Sequence, residues 1–324
     1  MKHTFLARFL CGSATAAMLF AFHAANAQNS VKVGALRTFA MAPAYYANTA
    51  GYFKEEGLDV EFVTLGTGPA IGSAVASGSV QIGHSAAIPV IYARAQNQPF
   101  RVFSTLTRET SGDDGALTWL VVSEGSNIRS LKDLEGKTVM TNGVSSLCEL
   151  AFRDHAANAG VDWKKFKSLT APFPQMPPAI EIGNADAACV IDPFYTMMRQ
   201  SPQIKAHTLA AGQIHNISSD PGVALEVLYV TEDWAKNHPE TLAKFNRAMA
   251  KAVSDFKNKP EAYKKFLVDI YRLDPKIVDD MKTGTVSGDF TPRAEMFSPL
   301  IEALNRNDML KTSLTGQDMI LATP

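Results

Sequence analysis

Cysteine is scarce in this chain: three among 324 residues, one of which, Cys11, lies in the apolar opening segment. The other two, Cys148 and Cys189, stand in no C-x-x-C pair, so zinc ribbons and dithiol redox chemistry have no basis in the sequence. An oxidising exterior permits a bridge between them. A chain this long does not need one to fold, and two buried thiols are the expectation. Surplus charge is also missing: 31 Lys and Arg against 32 Asp and Glu leave no basic stripe to neutralise phosphates, which excludes a nucleic-acid partner.

The motifs of catalysis are thin as well. His84, His155, His207, His215 and His238 show no metal-ligand spacing, so no metal is expected. Gly66-Thr67-Gly68-Pro69-Ala70-Ile71-Gly72 brings its third glycine one position late for a dinucleotide loop, and the P-loop lysine is absent, so no cofactor is expected. Gly143-Val144-Ser145-Ser146-Leu147 lacks the second glycine of a nucleophile elbow. The residues read as those of a protein that is not an enzyme.

What is present begins with an export leader. Lys2 and Arg8 precede an apolar stretch, Phe9 to Phe22, too short to span a bilayer, and Ala25-Asn26-Ala27 offers the small-x-small cleavage pattern. Residues 1–27 are therefore expected to be a signal peptide cut near Ala27, leaving a soluble periplasmic chain from Gln28. Cys11 sits inside the apolar stretch, where it cannot be the lipid-accepting cysteine of an anchored lipoprotein. Beyond the leader no apolar run is long enough to cross a membrane, so membrane contact is expected only through a partner. Hydrophobic content of 46% against 19% charged is that of a globular protein. At roughly 100 to 200 residues per domain, the length predicts two.

Strand and helix signals alternate. Val31 to Leu36 reads as a buried strand, and Pro43 opens a helix through Tyr45, Tyr46 and Ala50 that ends at Gly57. Leu58 to Phe62 alternates as a strand, and Gly66 to Pro69 turns into a helix carrying Ile71, Ala74 and Val75. Residues 69–83 form a helix, glycine break and strand; residues 178–189 repeat that order with a shorter helix. Two α/β lobes of one design are predicted. The C-terminal part reads as helical, with Leu242, Phe245 and Met249, then Tyr263, Phe266, Leu267, Ile270 and Tyr271, on single faces. No flexible linker separates the lobes, so hinges within the fold are expected near Phe103–Thr118 and Thr208–Gly222.

Parallel sheets bind ligands beyond the carboxyl ends of their strands, where helix N-termini present free N–H groups. Four loops rich in small residues fit such places: Thr38 to Met41, Gly66 to Pro69, His84 to Ala87 and Asn142 to Ser146. The candidate binding residues are Arg37, Thr38, Phe39, Met41, Thr67, Gly68, His84 and Ser85 from the first lobe. From the second come Asn142, Gly143, Ser145, Ser146, Phe173, Gln175, Asp192, Phe194 and Tyr195. Hydroxyls and backbone N–H groups suit a carboxylate, sulfonate or nitrate, with Arg37 and Arg108 as candidate anion partners. The aromatics suit a planar ring. Asp192 before Pro193 also has the pattern of a helix cap.

Several segments together resemble the periplasmic solute-binding proteins of ABC importers for sulfonates, taurine, nitrate and thiamine-precursor pyrimidines. They are Val33-Gly34 with Pro43 to Ala47, Gly51 to Val60, Ala74 to Gly83, Leu131 to Val139, and Ala185 to Ala187 with Asp192-Pro193. Gln81 departs from that family's usual aspartate, and Val144-Ser145-Ser146 from its glycine-serine-threonine turn. The resemblance implies a two-lobe periplasmic binding protein fold of type II, with two hinge crossings and a helical C-terminal extension. Lobe 1 would comprise 28–112 and 222–324, and lobe 2 would comprise 113–221. It implies a monomer that delivers a small-molecule ligand to an ABC permease with a separate ATPase. The alternatives are an enzyme of the same fold, a pyrimidine synthase or a chorismate-lyase-like protein of the menaquinone route, and a periplasmic ligand sensor. The export leader speaks against the enzymes.

Overall fold

The computed structural model describes residues 30–112, 114–282 and 288–321; the expected leader lies outside them. The first sheet is built from β1 (Ser30–Ala35), β2 (Asp59–Thr64), β3 (Ile82–Ala86) and β4 (Phe100–Glu109). The helices between them are α1 (Ala42–Thr49), α2 (Tyr52–Glu55), α3 (Gly68–Ala76) and α4 (Ala87–Ala95). Gly51, at φ 83°, breaks the expected single helix into α1 and α2, since few other residues accept that left-handed turn.

The second sheet holds β5 (Trp119–Val122), β6 (Thr138–Thr141), β7 (Lys167–Thr170), β8 (Ala187–Val190) and β9 (His207–Ala211). It carries α5 (Leu147–Asn158), α6 (Met176–Glu181) and α7 (Phe194–Gln200). β10 (Val223–Thr231) then returns to the first sheet. The strand orders are β2-β1-β3-β10-β4 and β7-β6-β8-β5-β9. In each, three strands run parallel and the fourth in the row, β10 or β5, is antiparallel to both neighbours. The repeated design read from the sequence is thus a repeated topology.

Pairing with β10 lengthens two strands beyond expectation. His84 and Ser85 sit opposite Leu228 and Val227, so they belong to β3 and not to a loop. β4 stays paired through Glu109, and among the described residues the chain passes between the sheets from β4 to β5 and again from β9 to β10. Glu109 ties the two crossings together: its buried carboxylate accepts the Leu117 amide at 2.8 Å and the Gln213 amide at 2.9 Å. Burial pushes its pKa up, against those hydrogen bonds.

The C-terminal helices are α8 (Glu232–Asn237), α9 (Pro239–Asn258), α10 (Pro260–Tyr271), α11 (Pro275–Asp280) and α12 (Ser298–Arg306). Leu242, Phe245, Met249 and Phe256 of α9 form the face buried on the first sheet's core with Phe53 and Phe103. α12 instead reaches the second sheet's helix layer. Arg306 and Asn307 donate to Asp154 of α5, which also accepts the amide and ring Nδ1 of His215 in the second crossing.

The expectation of two free thiols is corrected. Cys148 and Cys189 form a disulfide with Cα atoms 5.4 Å apart, because the first turn of α5 lies directly on the central strand β8. Among the described residues no helix is long and apolar enough to cross a membrane, and no cluster of metal-ligating side chains occurs.

Candidate functional site

A cleft of about 1410 Å³ opens between the carboxyl ends of the two sheets' parallel strands. The first-sheet wall comprises Leu36–Phe39 after β1, Gly66–Pro69 at the start of α3, and Ser85 and Ala86 at the end of β3. Asn142–Leu147 after β6, Pro172–Pro174 after β7 and Ile191–Phe194 after β8 form the facing wall. The same three positions of each sheet supply a loop, as the repeated topology requires. Two helices enter the walls by their capped ends: Thr67 Oγ1 accepts the Ala70 amide at 3.3 Å, and Ser146 Oγ accepts the Glu149 amide at 3.2 Å.

The structure brings thirteen of the expected residues to this cleft: Arg37, Thr38, Phe39, Thr67, Gly68, Ser85, Asn142, Gly143, Ser145, Ser146, Phe173, Asp192 and Phe194. Phe173 and Phe194 stack at 6.1 Å on one wall, and Phe39 meets Tyr271 at 4.4 Å on the other. Ser145 holds a left-handed φ of 57°, and its amide donates to Glu149 Oε2 at 2.6 Å. Asp192 is engaged inside the protein, accepting the Thr196 amide at 2.9 Å and the Lys282 amide at 2.5 Å. Burial raises its pKa while these hydrogen bonds oppose the shift.

Four expected residues lie elsewhere. Met41 is fully buried in the first sheet's core, because a short 3₁₀ turn at Phe39–Met41 rotates it inward. His84 is fully buried on β3 behind the wall. Tyr195 stacks on Trp119 at 4.0 Å in the second sheet's core, its hydroxyl paired with Thr208. Gln175 is exposed and off the cleft. Arg108 also stays away from it, donating to Pro221 O and Asp220 between the crossings.

Sequence reasoning missed Glu226, Tyr229, Tyr271 and Arg272, all of which line the cleft. Glu226 sits in the middle of the apolar strand β10, and an acid inside such a run was the available signal. Its Oε2 accepts from Thr38 Oγ1 at 2.9 Å, with His84 Nε2 at 3.8 Å. Tyr271 donates to Thr38 O at 2.6 Å, and burial raises its pKa far above the ordinary range. Tyr45, beside them, is pushed up to about 12 by burial, with Arg37 lowering and Glu226 raising it.

Two mixed five-stranded sheets joined by two crossings, with a cleft at their strand ends, are the type II periplasmic binding protein fold. Residues 38–263 match the NMT1/THI5-like family, and the chain belongs to it. Its relatives differ in role. The 4-amino-5-hydroxymethyl-2-methylpyrimidine phosphate synthase of Schizosaccharomyces pombe is 23% identical over 69% of this chain, and the match spans 64% of the synthase, under two thirds of its length. The taurine-binding periplasmic protein of Escherichia coli is 26% identical over 78% of this chain and 75% of its own. Among solved structures, the periplasmic aliphatic sulphonate binding protein of E. coli superposes with a TM-score of 0.75 at 16% identity, covering 91% of this chain and 93% of the other. The nitrate-binding protein of Synechocystis PCC 6803 gives 0.69 at 14% identity, covering 88% and 83%.

Proposed function

We propose that this protein is the extracytoplasmic solute-binding component of an ABC importer. It captures a small organic anion or an aromatic or heteroaromatic molecule in the cleft and delivers it, unaltered, to a membrane permease driven by a separate ATPase. The observation that carries this reading is the cleft itself, walled by equivalent loops of two sheets and bearing aromatic rings on both sides. Taurine and sulphonate binders among the relatives support it. The lobes divide at 28–112 with 222–324 against 113–221, although α12 leans across onto α5.

The mechanism is closure about the crossings. In the open state the walls are solvated; a solute that touches both pulls them together, and it favours closure only by its extra affinity for that state. Closure aligns surfaces for the permease. The protein works in the periplasm as a monomer, after its leader is removed, and needs no cofactor or metal. Relatives that are synthases make turnover the competing reading. A thermal-shift screen of the mature chain against sulfonates, nitrate, aromatic carboxylates and pyrimidines tests the proposal. A ligand at about a hundred times its dissociation constant stabilises by roughly 2.7 kcal/mol. Recovery of the bound compound unchanged is expected, and its chemical conversion contradicts the proposal.

A further inference from the structure

We infer that the cleft selects a ligand carrying a protonated nitrogen, an amine or amidine on a planar ring, seated against Glu226. This rests on solute capture in the cleft and names the chemistry of the captured group.

Glu226 is held rigidly, because β10 is paired on both sides, by β3 and β4. It lines the cleft while its side chain is only 10% exposed. Oε2 accepts from Thr38; among the described residues Oε1 meets no donor. His84 lies behind the carboxylate: its Nδ1 accepts the Leu36 amide at 3.4 Å, and its Nε2 lies 3.8 Å from Glu226 Oε2 without a hydrogen-bond partner. Holding a carboxylate so nearly removed from water is costly, and a cation from the ligand relieves that cost.

The anion-suited end of one wall helix, α5, is already occupied by the chain. At the N-terminus of α5, Glu149 takes the Ser145 amide and its own amide is capped by Ser146, while Arg153 pairs with the same carboxylate. Of the two arginines on the wall, Arg37 donates to Ile270 O at the end of α10, while Arg272 caps that same end through its backbone amide, which donates to Val268 O. The buried polar atoms left unpartnered on the two walls include an acceptor, Asn142 Oδ1, and a hydroxyl that can accept, Ser85 Oγ. Phe39 and Tyr271 on one side, with Phe173 and Phe194 on the other, offer π-faces to a cationic ring.

Benzamidine and benzoate test this, since they share a ring and a planar head group and differ in charge. By calorimetry on the mature protein, benzamidine is expected to bind, benzoate to bind at least tenfold more weakly, and Glu226→Gln to weaken benzamidine at least tenfold. The glutamine keeps an acceptor for Thr38, and the wild-type comparison stands even if the variant fails to fold. Equal or tighter binding of benzoate, no binding of benzamidine, or unchanged benzamidine affinity in Glu226→Gln overturns the inference. If benzamidine is silent while an anion from the broad screen binds, charge selection fails and solute capture stands. Silence of every compound in both experiments removes both.

Discussion

Replacing Cys148 and Cys189 together by alanine opens a loop that spans 41 residues of sequence. Restraining a loop of that length removes denatured-state entropy equivalent to about 4 kcal/mol at 25 °C, so the double variant is expected to lose about that much stability. The loss falls mainly on the second sheet. There the bridge fastens the first turn of α5, which follows the Asn142–Ser146 loop, to β8, which leads into Asp192. Urea unfolding of the mature protein, with and without a thiol reductant, measures it. Reductant should bring the wild type down to the level of the variant and leave the variant unchanged. A wild type that shows two free thiols under denaturant, or one whose midpoint ignores reductant, would refute the reasoning.

Asp154→Ala removes a buried carboxylate that gathers Arg306, Asn307 and His215 and should cost about 1.5–3 kcal/mol at neutral pH. Burial pushes the Asp154 carboxyl up, but these donors outweigh it and hold the pKa below the ordinary value. The stabilisation is therefore present above the unfolded value of about 3.9 and fades as pH falls through the lower folded one, so urea midpoints of wild type and variant should converge in acid. Glu109→Ala leaves the Leu117 and Gln213 amides without their acceptor at a cost of roughly 1–3 kcal/mol each, and hydrogen exchange at those amides should rise. Gly83→Ala places a methyl 2.5 Å from the Tyr229 ring and 2.8 Å from Val75, an overpacking worth about 1–3 kcal/mol in denaturant unfolding.

Periodicity made the layers readable. The Leu242, Phe245 and Met249 face of α9 and the two helix-break-strand repeats came directly from spacing, and the repeats forced the two-sheet arrangement with loops facing a cleft. What spacing does not encode is pairing between distant segments. The local pattern around His84 reads as a loop because it says nothing of β10, which arrives some 140 residues later and extends β3 past it. For the same reason the apolar pattern of β10 hides Glu226, and the local sequence around Tyr195 does not show that Trp119 stacks on it. The disulfide likewise depends on a helix–strand distance that no spacing rule supplies.

The movement of the walls is the most direct test of solute capture. With both native cysteines bridged, cysteines introduced at the exposed positions Ser77, at the end of α3, and Ile182, just past α6, can be spin-labelled selectively in the mature chain. Distance distributions would then be measured with and without the compound that stabilises the protein most in the screen. The account predicts that saturation shifts the distribution to shorter distances and that the compound is recovered intact. An unchanged distribution in the saturated protein would contradict it.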